Sequence, residues 1–426
     1  MDAYAEVLLI AIPIFVGLIL IEWLAAYWMG KSTLIRSMDT ISSLSSGSTN
    51  TLKSILQLTV VIISYDWLVD KVALFHFETT WLVWGLSFIA IDFASYWSHR
   101  LAHSINFFWN KHVIHHSSEE FNLACALRQT ISNIVSLSFI FLFPAALLGL
   151  PGEVIAVIAP IHLFMQFWYH TRLIPKLGWL EYIIVTPSQH RVHHAINDCY
   201  LDKNLSAIFC VWDRMFGTFQ EELEEEPCVY GVKRAVATWN PIKINIQHIW
   251  QLTQDAWHAE SWWDKCRLWL MPTGWRPADV EKKYPVKYTI DPFTQVKYDT
   301  PASKALHAWS WFQYATVTLL MLHMLFVIAK ISPLELFLYG GFLFWMIYSY
   351  TSLMDRDPNA IWMEMIKSIF GFGIIYFTGD WFMINDWMPS GLVMITTYLI
   401  LSVLIVAAFV LVELKSDKQE IMKMTN

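Results

Sequence analysis

The chain has 426 residues, of which 56% are hydrophobic and only 15% charged, a balance too apolar for an ordinary soluble domain and long enough for many membrane spans. Its formal net charge of −7 includes the acidic run EELEEEP, and no basic stripe interleaves with aromatics, which argues against nucleic acid as a partner. The five cysteines (Cys125, Cys199, Cys210, Cys228 and Cys266) form no C-x-x-C pair and read as small buried apolar side chains.

Apolar runs of about 20 residues, the length that crosses a hydrocarbon core, predict membrane helices at 7–29, 52–75, 79–98, 131–150, 152–170, 306–329, 333–353, 360–379 and 391–412. The first run has no basic flank and is too long for the core of a signal peptide, so it reads as a retained anchor. No Lys or Arg precedes it, whereas Lys31, Arg36 and Lys53 follow it and Lys415, Lys418 and Lys423 close the chain. This bias predicts an outside N-terminus and a cytoplasmic C-terminus, as an odd number of spans requires. Residues 99–130 and 171–304 then share the cytoplasmic side. The expected compartment is the endoplasmic reticulum for a eukaryotic chain and the inner membrane for a bacterial one.

The chain divides at about 240 and 304 into an N-terminal membrane part with inserts, a Trp-rich link (241–304) and a C-terminal four-span region (305–426) that carries no evident chemistry. Within the link, WHAESWWDKCRLWLMPTGW reads as a helix lying in the membrane interface, where indoles prefer to sit, or equally as one packed on the cytoplasmic cap. The fold class expected is an all-α integral membrane protein of about nine transmembrane helices, with a cytoplasmic histidine-rich helical cap holding a dinuclear metal site.

Eight of the fifteen histidines fall into three boxes. His99 and His103 lie in SHRLAH, His112, His115 and His116 in KHVIHH, and His190, His193 and His194 in HRVHH. On a helix, positions i, i+3 and i+4 share a face, so each box aims its rings at one place. Imidazole is the commonest metal-binding side chain, and one ion takes roughly four to six ligands, so eight neutral rings fit two ions. The alternative, a cluster of free histidines at the membrane boundary, would repel itself on protonation.

Other polar residues sit near the boxes. His170 and His162, two helical turns apart at the end of the 152–170 run, are further candidate ligands, with a hydrogen-bonded core histidine as the alternative for His162. Asp92 shares a helical stripe with His99 and His103 and could accept the second N–H of a ligating imidazole. Glu119 and Glu120 follow the second box directly and read either as a solvated pair or as support for a metal or cofactor. His76, His248, His258, His307 and His323 read as interfacial or hydrogen-bonded core residues.

The order H-x3-H, a gap of eight, H-x2-H-H, a long interval and H-x2-H-H resembles the fatty acid hydroxylase/sterol desaturase superfamily. The following NDCYLDKNLSAIFCVWDRMFGTF, with Asn204 and the group Trp212, Asp213, Arg214, Gly217 and Thr218, is similar to its closing signature. HHSSEEFNLACALRQT and QFWYHTRLIPKLGWLEYIIVTPSQHRVHH resemble the branch of that superfamily that oxidises ether lipids. The resemblance implies two iron ions held by the eight box histidines, with zinc an alternative occupant in purified protein, and O2 as oxidant. It implies tetrahydrobiopterin as reductant, or an electron-donor protein in its place. The implied substrate is a membrane lipid, hydroxylated at the carbon next to the ether oxygen of an alkylglycerol, with release of a fatty aldehyde. A sterol or fatty-acyl hydroxylase or desaturase is the alternative, and a non-catalytic lipid-binding protein with structural metals the remote one. Asn204 joins Asp92, Glu119 and Glu120 as a supporting residue. Ser104 departs from the branch, which carries an acidic residue directly after the first box, and that departure bears on the pterin requirement.

Overall fold

A computed structural model of the chain describes residues 2–413, so Lys415, Lys418 and Lys423 lie outside the described residues. Among the described residues the regular elements are helices, apart from one two-residue parallel pairing, Val60–Val61 with Val135–Ser136, and three isolated antiparallel bridges. Helix α1 (Asp2–Trp28) is apolar over Leu8–Trp28 apart from buried Glu22, and many of the large apolar side chains in that stretch are exposed. Next comes α2 (Ser37–Ile55), whose sequence SMDTISSLSSGSTNTLKSI resembles a polar loop yet is almost wholly buried. Its hydroxyls turn back on their own helix, Thr40 Oγ1 donating to Arg36 O, Ser45 Oγ to Ile41 O and Ser48 Oγ to Leu44 O. Small, self-satisfied side chains let neighbours approach closely, and α2 accordingly packs against both the cap and the C-terminal helices.

The next stretch is a layer of short helices around one long one. α3 (Tyr65–Val72) is capped by Ser64, and α4 (Trp81–Ser104) is capped by Thr80 and carries the first histidine box in its last turns. α5 (Asn106–Trp109) and α6 (Val113–His116) follow, then α7 (Ser138–Phe141), α8 (Phe143–Leu148) and α9 (Gly152–Phe164), the last packed on α4. α10 (Pro187–His193) holds His190 and His193 of the third box, with His194 at its C-cap, and α11 (Val211–Phe216) closes the cap. The link supplies α12 (Pro241–His258), α13 (Trp262–Arg267) and α14 (Ala278–Lys283).

The C-terminal bundle is α15 (Lys304–Val327), α16 (Pro333–Met354), α17 (Ala360–Thr378), α18 (Ile384–Trp387) and α19 (Gly391–Ala408). α16 starts at a full capping box, Ser332 with Glu335, with Pro333 at its first position. The largest buried apolar cluster joins these helices to Met38, Ile41 and Leu52 of α2.

Five described helices are long and apolar enough to cross a membrane: Leu8–Trp28, Lys304–Val327, Pro333–Met354, Ala360–Thr378 and Gly391–Glu413. The expectation of nine is not reproduced. In 52–75 the chain leaves α2 at Gln57, with φ 52°, and passes through the short strand before α3. In 131–150 it breaks between α7 and α8, ahead of Pro144, and Gly149 at φ 80° ends α8 where a Cβ would collide with the Phe75 carbonyl. In 152–170, α9 stops after 13 residues, four beyond its internal Pro160. α4 has the length of a span, but it carries Asp92, Arg100 and two histidines and falls outside the five. Average hydropathy concealed these breakers.

The link is not one interfacial helix either. It breaks between α12 and α13 at Ala259 and Ser261, leaving Trp257, Trp262 and Trp263 exposed. Further on it packs on the cap, where the Trp269 carbonyl accepts Phe107 N–H and the Trp275 carbonyl accepts the Asn106 amide. All five cysteines are free, and Cys199 and Cys266 are exposed rather than buried.

Candidate metal centre

Nine histidines converge in the cap and separate into two groups. His99, His103, His112, His116 and His193 form the first, and His115, His170, His190 and His194 the second, the ring nitrogens within each group lying no more than 4.8 Å apart. The division follows helix geometry. Residues four apart stack on one face and a residue one position away points about 100° aside. Thus 99/103, 112/116 and 190/194 each stay together as pairs, while His115 crosses from the second box to the second group and His193 from the third box to the first.

The backbone fixes which nitrogen of several rings faces inward. His99 Nδ1 lies 2.7 Å from the Leu205 carbonyl, His193 Nδ1 3.0 Å from Lys203, His115 Nδ1 3.3 Å from Arg128 and His170 Nδ1 3.0 Å from Gln166. A carbonyl only accepts, so each Nδ1 carries the proton and each Nε2 presents a lone pair. Yet His115 Nε2 stands 3.3 Å from His170 Nε2, two acceptors face to face. His115–His194, His170–His190 and His190–His194 separations of 3.1, 2.9 and 3.1 Å complete the second group. In the first, His99 and His112 approach to 2.8 Å, and the buried Nε2 atoms of His103, His116 and His193 have no hydrogen-bond partner. Converging lone pairs require a cation between them, and these separations suit nitrogens bound to one ion at about 2.0–2.1 Å each. The donor set therefore fits two metal ions.

Metal ligands must be neutral, and burial favours that form for several of these rings. Burial pushes His115 down to about 4 and keeps His112, His116, His190, His193 and His194 well below the ordinary imidazole value, with neighbouring imidazoles adding to the effect.

Asn204 acts on this centre through the backbone. It adopts φ 52°, a left-handed conformation that asparagine tolerates. Its amide donates to the Gln189 and Gln220 carbonyls, and its side-chain oxygen accepts Gln220 N–H. This stitch turns the flanking Lys203 and Leu205 carbonyls onto His193 and His99. Asp213 supports the same loop by accepting the N–H groups of Leu205 and Ser206.

Asp92 and His162 belong to each other rather than to the ion sites. His162 Nε2 lies 2.8 Å from Asp92 Oδ1, and His162 is outside both groups. Asp92 also accepts the N–H groups of Ile208, Phe209 and the Trp212 indole, so it anchors the segment after the third box. Glu119 accepts Tyr298 N–H, and Glu120 meets Lys297 at 2.5 Å, which ties the second box to the link. Burial raises both carboxyls.

Sequence reasoning passed over Arg128 and Asp202. Buried Arg128 pairs with Asp39 at 2.7 Å and donates to Ser43 and Ser117, which positions the carbonyl that orients His115. Asp202 lies 3.2 Å from His103 Nδ1. A lone arginine within the otherwise uncharged NLACALRQT was the available signal for the first; the second had none.

The two groups face different surroundings. The second is closed by Phe121 and Tyr169, whose rings stack on His170 at 5.8 and 5.1 Å. The first opens to a cavity of about 320 Å³, bounded on one side by His103, His116 and His193 and on the other by link residues that include Gln251 and Arg276.

The fatty acid hydroxylase family matches residues 84–218, the span containing all nine grouped histidines. The chain is 32% identical over 363 residues to alkylglycerol monooxygenase of Homo sapiens, covering 84% of this chain and 80% of that protein. It is 34% identical over 372 residues to alkylglycerol monooxygenase of Danio rerio, with the same coverage. An ornithine lipid hydroxylase of Rhizobium tropici is 27% identical over 152 residues, 36% of this chain and 46% of that one. No solved structure matches.

Proposed function

The chain belongs to the alkylglycerol monooxygenase family, and from that premise we propose that it hydroxylates the carbon beside the ether oxygen of an alkylglycerol lipid, the resulting hemiacetal breaking into a fatty aldehyde and a glycerol derivative. It is an oxygen-dependent lipid oxidoreductase by family. The single observation that carries the site is the pair of histidine groups with inward-facing lone pairs. His99, His103, His112, His116 and His193 hold one ion and His115, His170, His190 and His194 the other. Two iron ions with O2 supply the oxidation of an unactivated C–H bond. An all-nitrogen set leaves those ions their full positive charge, and Phe121 and Tyr169 exclude water from one side. Asn204, Asp213 and Arg128 keep the rings oriented.

Electrons come from tetrahydrobiopterin or from a partner protein. The cap faces the cytoplasm, with the N-terminus outside. Three parts carry this arrangement: 1–240 as the oxidising membrane domain, the link, and 305–426 as a membrane bundle.

The test incubates iron-replete membranes with O2 and labelled alkylglycerol or acyl lipid, with and without tetrahydrobiopterin. Fatty aldehyde from the alkylglycerol arm supports the reading; product from acyl lipid alone replaces it with a fatty-acyl hydroxylase or desaturase.

A further inference from the structure

Exposed apolar surface gathers along one edge of the link. On α12, Ile246, Trp250, Thr253 and Trp257 fall on a single helical stripe and all four are exposed, Trp257 at 81%. The opposite stripe, with Ile244, His248, Leu252 and Asp255, lines the cavity beside the five-histidine group. A helix on a water-facing cap presents polar side chains outward, whereas α12 presents indoles. Beyond the break at Ala259 the outward row continues into α13, where Trp262 and Trp263 are 78% and 68% exposed, and on to exposed Leu270. Single exposed apolar residues are ordinary, but a contiguous row marks an interaction surface.

Position, continuity and charge name its partner. α12 starts at the end of a helix long and apolar enough to cross a membrane: its N-cap Asn240 donates to the Tyr348 carbonyl and to Ser352 Oγ, both at 3.1 Å, in the last two turns of α16. The far end of the row returns to apolar surface. Exposed Phe107 donates its N–H to the Trp269 carbonyl at 2.9 Å, and Lys111 bridges the rings of Phe108 and Phe141, which brings in α7 and α8 with exposed Ile140 and Phe143. The charge is supplied by half-buried Lys265. Its ammonium stands 5.0 Å over the Trp262 ring and donates to the Trp257 carbonyl at 3.3 Å. It forms no ion pair among the described residues, because neighbouring Asp264 is held by Arg267 at 2.7 Å. An unpaired cation set among exposed indoles is complementary to a lipid phosphate, and indoles themselves settle at headgroup level.

We propose that the α12–α13 elbow docks into the phospholipid headgroup layer of the membrane around the bundle, with Lys265 on a lipid phosphate. One face of α12 then lies against lipid and the other against the cavity, so the five-histidine group is held open at the lipid surface. This consequence for catalysis rests on the monooxygenase reading; the docking itself does not.

The test uses full-length protein reconstituted at one copy per phosphatidylcholine nanodisc. Exposed Cys266 lies one helical turn from Trp262, and with Cys199→Ser and Cys228→Ser it is the accessible thiol for a nitrobenzoxadiazole label. The expected result is quenching of the label by phosphatidylcholine carrying a nitroxide on its headgroup, and shielding from aqueous iodide. Trp262→Glu combined with Trp263→Glu and Lys265→Glu reverses both, with metal content and melting confirming intact protein. Quenching by iodide alone in the labelled parent overturns the proposal. So does shielding from iodide without quenching by the lipid, the signature of a protein partner or a second copy. In turnover, the triple variant raises the KM for alkylglycerol presented in vesicles several-fold, while the KM for the same lipid in detergent micelles holds. A KM that moves alike in both, or in neither, overturns the placement of the cavity at the lipid surface. The quenching experiment needs no turnover, so it stands if alkylglycerol proves not to be the substrate, and the two failures are distinguishable.

Discussion

The cap and the C-terminal bundle both bury polar side chains, but they do so in opposite ways. In the bundle, Glu364 and Lys367 pair within α17; Glu364 also accepts Ser349, and Lys367 also donates to Tyr398 and Ser402. Each charge there finds its complement in the chain. In the cap, nine imidazoles of one kind face one another, and several present only lone pairs. Complementary burial closes on itself and holds helices together; burial of like groups is incomplete without something the chain does not supply.

That contrast can be broken experimentally, and the largest effect belongs to the cap. His115→Ala removes a ring from the second group and is expected to abolish aldehyde formation and lower bound metal, measured by product assay and elemental analysis. Retention of both ions and full activity would erase the distinction. In the bundle, Lys367→Met alone leaves Glu364 buried and uncompensated, at a cost of about 3–5 kcal/mol. Adding Glu364→Gln recovers most of that loss in denaturant unfolding, since a paired charge can be replaced as a pair. No second substitution in the cap rescues His115→Ala.

Smaller effects sharpen the cap itself. Asn204→Ala touches no ring but releases the carbonyls on His99 and His193, and metal affinity is expected to fall by about 10- to 100-fold, read by competition with a chelator. His162→Gln keeps a donor to Asp92 and should leave metal content unchanged, whereas His170→Gln loses metal. Equal losses in both would place His162 among the ligands.

The eight box histidines were legible because ligand spacing on a helix is a local property. Their division was not, because His115 and His116, or His193 and His194, are neighbours in sequence and part only when three helices meet. Asp92 shared a stripe with His99 in sequence, yet its partners come from residues 162 and 208–212, which no periodicity announces. Helix α2 carries no apolar run to announce it, because its serines and threonines look solvent-seeking; only their return to backbone carbonyls makes burial tolerable. The bundle helices were found almost to the residue, since long uninterrupted apolar runs leave few alternatives. The broken runs around α4 fooled the same rule.

The exchange of His115 and His193 between boxes has a consequence for how the protein acquires its ions. α6 lends rings to both groups and so does α10, so an ion held by one group could not depart without loosening a helix that serves the other. Half-filled protein is then a scarce species: titration with a chelator should run from the doubly occupied form to the empty one in a single step, and a mixed-metal preparation should resist piecemeal exchange.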